Sequence, residues 1–283
     1  MPSAMPPPPL DIPARLCEVM SEVARMCAYL PHREPGHDID AFDQLHGNED
    51  FPDPLLTTHR LGRFYLAGAS NFVRSIGHLI SLDTPPTIAP GVLARSAAEY
   101  AARANFVTNL DDSPEMRVSK MERLFADGLQ NIGVNSKDAT PEEAELAKRI
   151  NRWRSQTQLP KVRPPNFTNS VIELSPDLGP REYPLLSRLV HANAVTVTVV
   201  TISEQMNHYT QVTDAWAHAL FAAWCTLKAT VNACVLRDGN KEPVNFAWGL
   251  YSEVETTYNR YLWDLSVAQG FHPDEPRPGR PRS

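Results

Sequence analysis

The sequence predicts an all-α protein, a single-domain bundle of about eight helices with disordered Pro-rich ends. Three observations carry this reading. Apolar residues recur at steps of three and four through most long segments. The 26 prolines fall mainly between those segments, where they punctuate helices rather than interrupt them. No strand–helix alternation is visible, only 13 glycines are present, and the GxGxxG and GxxxxGKS/T phosphate patterns do not occur, which disfavours Rossmann and phosphate-loop folds.

The first helix, residues 12–30, places Ile12, Leu16, Val19, Val23, Cys27 and Leu30 on one face, and Pro31 ends it. A segment with His32, His37, Asp38, Asp40, Asp43, His46 and Asp50 follows and reads as a solvated acidic loop, with cation capture as the alternative. Asp53 then caps a long helix that has Pro54 at its first position and runs towards Leu82. After DTPPTIAP, a helix is expected from about Gly91 to Leu110; Ser113-Pro114 opens the next, and the capping box Thr140-Pro141-Glu142-Glu143 opens another. Residues 159–180 carry Pro160, Pro164, Pro165, Pro176 and Pro180, and read as a surface loop with at most a brief helical turn around Val171.

The run VTVTVV, residues 195–200, alternates like a strand, yet no other segment offers a partner. It is therefore read as part of a buried helix continuing from Leu185. A stronger helix follows through Val212, Trp216, Ala219, Ala223, Leu227, Val231 and Cys234, with Gly239 beyond its end. The last helix uses Leu250, Val254, Tyr258, Tyr261 and Leu265. Residues 1–10 and 273–283 are expected to be disordered, which leaves 11–272 as one helical domain.

Composition bounds the function. Hydrophobic residues make up 42% and charged residues 21%, ordinary values for a globular protein. A net charge of −6 spread along the chain does not indicate a nucleic-acid surface. Thr, Asn, His and charged residues break the apolar runs before the roughly 20 residues of a membrane span, so no transmembrane helix is expected. MPSAMPPPP lacks the features of a signal peptide, and Cys17, Cys27, Cys225 and Cys234 form neither a CxxC pair nor a disulfide framework. The expected location is cytoplasmic, with the cysteines as small buried residues.

Two polar stripes mark the candidate site. Arg95, Glu99 and Arg103 are four apart in ARSAAEYAARANF, and Tyr183, Ser187 and His191 are four apart in YPLLSRLVHANAV. At 100° per residue the first triplet occupies an arc of about 80°, and the rest of that helix is alanine or apolar. A solvated helix would carry charge across its outer face, so this one is expected to be central. Glu99 can accept from both arginines, leaving positive character for a carboxylate or an anionic ligand. The second triplet supplies a phenol, a hydroxyl and an imidazole; Ser187 and His191 are spaced for a nucleophile pair, although no GxSxG elbow is present. The alternative for both stripes is a satisfied polar network joining core helices.

GVLARSAAEYAARANFVTNLDDSPEMR and EYPLLSRLVHA resemble an uncharacterised family of helical proteins common in actinobacteria. That family pairs an R-x-x-x-E helix and an Asp-containing turn with a later Y-x-x-L-S-x-x-x-H helix. The matching positions are Arg95, Glu99, Asp111 or Asp112, Tyr183, Ser187 and His191. The resemblance covers about the middle third of the chain and brings no known activity, and the Val-Thr run after the histidine departs from its pattern. DDSPE at residues 111–115 also resembles the aspartate-rich motif of class I terpene synthases, but no second motif follows and Ser-Pro reads as a helix start.

A third set comprises Glu204 with His208 and Asp214 with His218, carboxylate–histidine pairs at the spacing used in di-iron bundles. On a continuous helix all four lie within about 120°, opposite the apolar face, so solvent exposure is expected. If a metal is held, these four are the ligands, with Glu99 or His191 as additions. No cofactor motif accompanies any of these groups. The sequence thus leads to a small polar or anionic ligand bound by Arg95, Arg103 and Tyr183, with His191, Ser187 and Glu99 available for acid–base chemistry. The alternatives are a non-catalytic interaction module using the Glu204–His218 face and, ranked lower, a metal-dependent helical enzyme.

Overall fold

The computed structural model describes residues 8–131, 140–206 and 208–268. Among them the chain forms eleven helices and no strand: α1 (Asp11–Ala28), α2 (Ile39–His46), α3 (Pro54–Ile80), α4 (Ile88–Val107), α5 (Pro114–Asn131), α6 (Pro141–Gln156), α7 (Phe167–Leu174), α8 (Gly179–Val190), α9 (Ala194–Met206), α10 (His208–Leu236) and α11 (Glu242–Ala268). The all-α class stands, and the three helices beyond the expected eight are α2, α7 and α9 as a separate element. The expected disorder at 273–283, and at 1–10 apart from Pro8, Pro9 and Leu10, falls on residues outside those described.

Helix ends follow local chemistry. Thr140 and Glu143 form the capping box at α6, with the Thr140 hydroxyl accepting from Glu143 N–H at 3.2 Å and the Glu143 carboxylate accepting from Thr140 N–H at 2.9 Å. Ser113 accepts from the Met116 amide at 3.3 Å in the first turn of α5. Asp53 does not cap α3 as expected: its carboxylate accepts from Arg60 at 2.5 Å and from the Thr57 hydroxyl at 3.3 Å. The cap is supplied by Asp43 of α2, which accepts the Leu55 and Leu56 amides at 2.6 and 3.1 Å.

The core is built on α10, which packs against α1, α3, α4 and α11. Its Trp216, Ala219, Phe221, Ala222, Ala223, Cys225 and Leu227 are fully buried. Alanine at 94, 97, 98, 101, 102 and 104 lets α4 approach α3 and α10 closely, which makes α4 central as the sparse charge pattern implied. A smaller apolar cluster, Phe42, Phe51, Leu55, Val118, Met121, Ile150 and Trp153, joins α2, α5 and α6 to the start of α3. All four cysteines are free and buried.

One premise and two expectations are corrected. The segment Thr210–Leu236 is apolar and long enough to cross a membrane by length and composition, because its Ala, Leu, Phe and Trp outweigh the few polar interruptions; 72% of its most apolar window is buried inside the bundle. The 195–200 run is helical but does not continue from Leu185. The chain turns at Ala192, whose φ is +48°, and α9 leaves α8 at 104°. Nor is α9 buried, since Val195 and Val199 are 73% and 57% exposed. Finally, the 159–180 stretch is not merely loop, because α7 buries Val171 and Leu174 in the core.

Candidate functional site

The alanine face of α4 is committed to the core, so Arg95, Glu99 and Arg103 emerge along its flank, where α7 and α8 pack. Glu99 is the hub. Its Oε1 lies 3.0 Å from an Arg95 guanidinium nitrogen and its Oε2 lies 3.6 Å from Arg103, while Arg103 also donates to the Glu99 carbonyl at 3.2 Å. The Tyr183 hydroxyl of α8 donates to Glu99 Oε1 at 2.9 Å. Burial, and then the Glu99 carboxylate, raise the Tyr183 phenol above its ordinary value, so it remains a donor at neutral pH.

Aromatic rings hold both guanidinium groups. Arg95 lies 5.7 Å from the Tyr183 ring centroid, and Arg103 lies 4.1 Å from that of Phe167. Arg95 Nε is buried without a hydrogen-bond partner among the described residues. Two arginines therefore share one carboxylate, and the cluster keeps a positive charge.

The second stripe opens onto a cleft of about 420 Å³ lined by Tyr183, Ser187, Arg188, His191, Thr168 and Asn193. The three residues expected to share a side do so, although His191 is exposed and lies one residue beyond the end of α8. Arg188 was not anticipated: it reads as an ordinary exposed helix charge until α7 and the Asn193 turn close the cleft around it. Asn193 caps α9, accepting from the Thr196 amide at 3.2 Å, so the positive end of the α9 dipole also borders the cleft. Arg95, Glu99 and Arg103 do not line this cleft; Tyr183 connects the two groups. Among the described residues no hydrogen bond joins Ser187 to His191, so the geometry lacks the contact a serine nucleophile needs.

The carboxylate–histidine set is divided. Glu204 belongs to α9, whereas His208, Asp214 and His218 belong to α10, and the side chains of Glu204 and His208 lie outside the described residues. Asp214 is half-buried, and His218 is 3% exposed against the α4–α8 contact, where a Cβ on Gly91 would come within 3.0 Å of its Nε2. The expected solvent-facing stripe is thus overturned at His218, because α8 covers that side of α10. Among the described residues no three His, Cys, Asp or Glu side chains are grouped to hold a metal ion. In the DDSPE segment, Asp112 pairs with Lys120 at 2.5 Å.

One buried polar group was missed entirely. Glu34, in the segment read as solvated, is 7% exposed. His59 Nε2 lies 3.0 Å from its carboxylate, Arg117 forms an ion pair with it, and Arg117 Nε donates to the Asn109 carbonyl at 3.1 Å. Nothing in the local sequence distinguishes Glu34 from its solvated neighbours, since its partners are 25 and 83 residues away.

Compared with protein-family models, curated proteins and solved structures, the chain matches none.

Proposed function

We propose that the protein binds a small anionic or polar molecule in the cleft between Tyr183, Ser187, Arg188 and His191, with the Arg95–Glu99–Arg103 cluster behind Tyr183. The observation that carries this reading is the open polar cleft itself, whose Tyr183 wall is held by its hydrogen bond to the doubly arginine-paired Glu99. Arg188, the Ser187 and Thr168 hydroxyls and the N-terminal end of α9 all favour negative charge there. Proton transfer on a bound ligand would fall to His191, with Arg188 supplying charge stabilisation in the cleft and Glu99, held by Arg95 and Arg103, orienting Tyr183. The free, buried cysteines fit a reducing compartment such as the cytoplasm.

The test is thermal unfolding of the full chain in succinate, with neutral succinamide as the control. Succinate at concentrations well above its Kd should raise Tm by about 2 °C or more, and succinamide should not. Arg188→Gln, an exposed substitution, should remove the shift without lowering the unliganded Tm. Equal effects of the two compounds, or a shift that survives Arg188→Gln, would count against the reading.

A helical interaction module is the second reading, favoured by the exposed Val195, Val199 and Ile202 on one face of α9. It replaces the Glu204–His218 face as the candidate contact, because His218 is buried. Val199→Asp would then shift the sedimentation coefficient or abolish a partner complex, whereas the ligand reading leaves both unchanged.

A further inference from the structure

The end of α1, the loop after it, the first half of α3 and the end of α10 meet in a cluster with more cationic donors than acceptors. Three of its arginines are neutralised: Arg117 by Glu34, Arg60 by Asp53 and Arg33 by Asp238. Arg63 and Arg237 have no carboxylate in ion-pair contact among the described residues. Arg237, only 2% exposed, donates to the carbonyls of Cys27, Ala28 and His59 at 2.9, 2.6 and 3.1 Å, yet its Nε has no partner. Arg63 Nε, His32 Nδ1 and His59 Nδ1 are likewise buried without partners. The two imidazole rings lie 5.8 Å apart, and His59 is 2% exposed. Burial first, and then the surrounding Arg237, His59, Arg63 and Arg60, depress the His32 imidazole to about 4, a sign of the positive local field.

Buried donors are almost always partnered, and unpaired buried guanidinium groups favour an anion. The histidine narrows its chemistry. In the neutral ring, donation of His59 Nε2–H to the Glu34 carboxylate leaves Nδ1 as a lone-pair acceptor. A ligand satisfying this group must accept from arginine N–H groups and also donate to an imidazole nitrogen. Sulfate and simple carboxylates have no proton to donate at neutral pH, whereas a hydrogen phosphate group has both kinds of oxygen. We infer that the His32–His59–Arg63–Arg237 cluster is a binding site for a protonated phosphate group, accepting from Arg63 and Arg237 and donating to His59 Nδ1. A cleft of about 440 Å³ lined by His32, Glu34, His37 and Leu56 lies beside it. Asp38 and Asp40 also line that cleft, so the selectivity comes from the buried donors and not from charge at the entrance.

The experiment uses the full chain carrying Arg188→Gln, so that the cleft of the proposed ligand site lacks its guanidinium. Inorganic phosphate, sulfate and phenyl phosphate are titrated by calorimetry, and the His32 and His59 ring resonances are followed by NMR. Phosphate should bind with one-to-one stoichiometry and move both imidazole signals. Sulfate should bind at least about tenfold more weakly, as should phosphate to the additional Arg63→Gln variant, each having lost one charge-assisted or buried hydrogen bond. Acceptance of phenyl phosphate assigns the site to a phosphomonoester, and its exclusion assigns it to free phosphate. Equal binding of phosphate and sulfate, phosphate affinity unchanged by Arg63→Gln, unmoved imidazole signals, or no binding at millimolar phosphate would each overturn the inference.

Discussion

At the scale of single residues, Glu99 matters more than any other polar side chain on α4, since one carboxylate serves two guanidinium groups and a phenol. The side chains of Arg95, Glu99 and Arg103 are 17%, 24% and 27% exposed, so their pairing is screened less than a surface ion pair. Tyr183→Phe removes one hydrogen bond and should cost about 1 kcal/mol in chemical denaturation. Glu99→Ala leaves two partly buried guanidinium groups without their carboxylate and should cost about 2–3 kcal/mol. A Glu99→Ala cost no larger than that of Tyr183→Phe would show that Glu99 is not the hub. The i, i+4 spacing made the Arg95–Arg103 stripe legible, because residues four apart on a helix are neighbours whatever the tertiary fold. Its bond to Tyr183, 84 residues away, was not legible, and neither was the burial of Glu34, because both depend on which helices meet.

At the scale of elements, periodicity located the long helices to within a few residues, while burial of the short ones needed tertiary context. α9 shows the limit. Its uniform β-branched character hides which face is covered, and the turn at Ala192 carries that face out of the core. α10 shows the converse, since Asp214 and His218 looked solvent-facing until α8 was placed against them. Their titrations now oppose each other. Burial depresses the His218 imidazole from 6.5 to about 4. The unfolded chain therefore takes up a proton that the folded state refuses, and stability falls as pH drops from 6.5 towards 4. Burial, and then the Glu182 carboxylate, raise Asp214 from 3.8 to about 6, so stability falls as pH rises through that window. The Tm of His218→Gln relative to the unmodified protein should rise between about pH 7 and about pH 4.5, and that of Asp214→Asn should rise in the reverse direction. Relative Tm values that stay constant with pH in both variants would contradict these assignments.

At the scale of the whole molecule, a core of alanine-rich α4 and apolar α10 leaves its polar chemistry at two places, the α4–α7–α8 flank and the junction of α1, α3 and α10. The first was legible as paired stripes, since its residues lie close together within two helices. The second draws single residues from a loop, α3, α5 and α10, and no local pattern announces it. We propose the first place as a ligand site rather than only a brace between helices. Amide and imidazole shift mapping of the full chain during a succinate titration tests this most directly. A ligand site there gives saturable shifts at Tyr183, Ser187, Arg188, His191 and Asn193, with the α1–α3–α10 junction unmoved. No saturable shift at these residues, or shifts centred elsewhere, would contradict it and leave Glu99 and its arginines as a structural network.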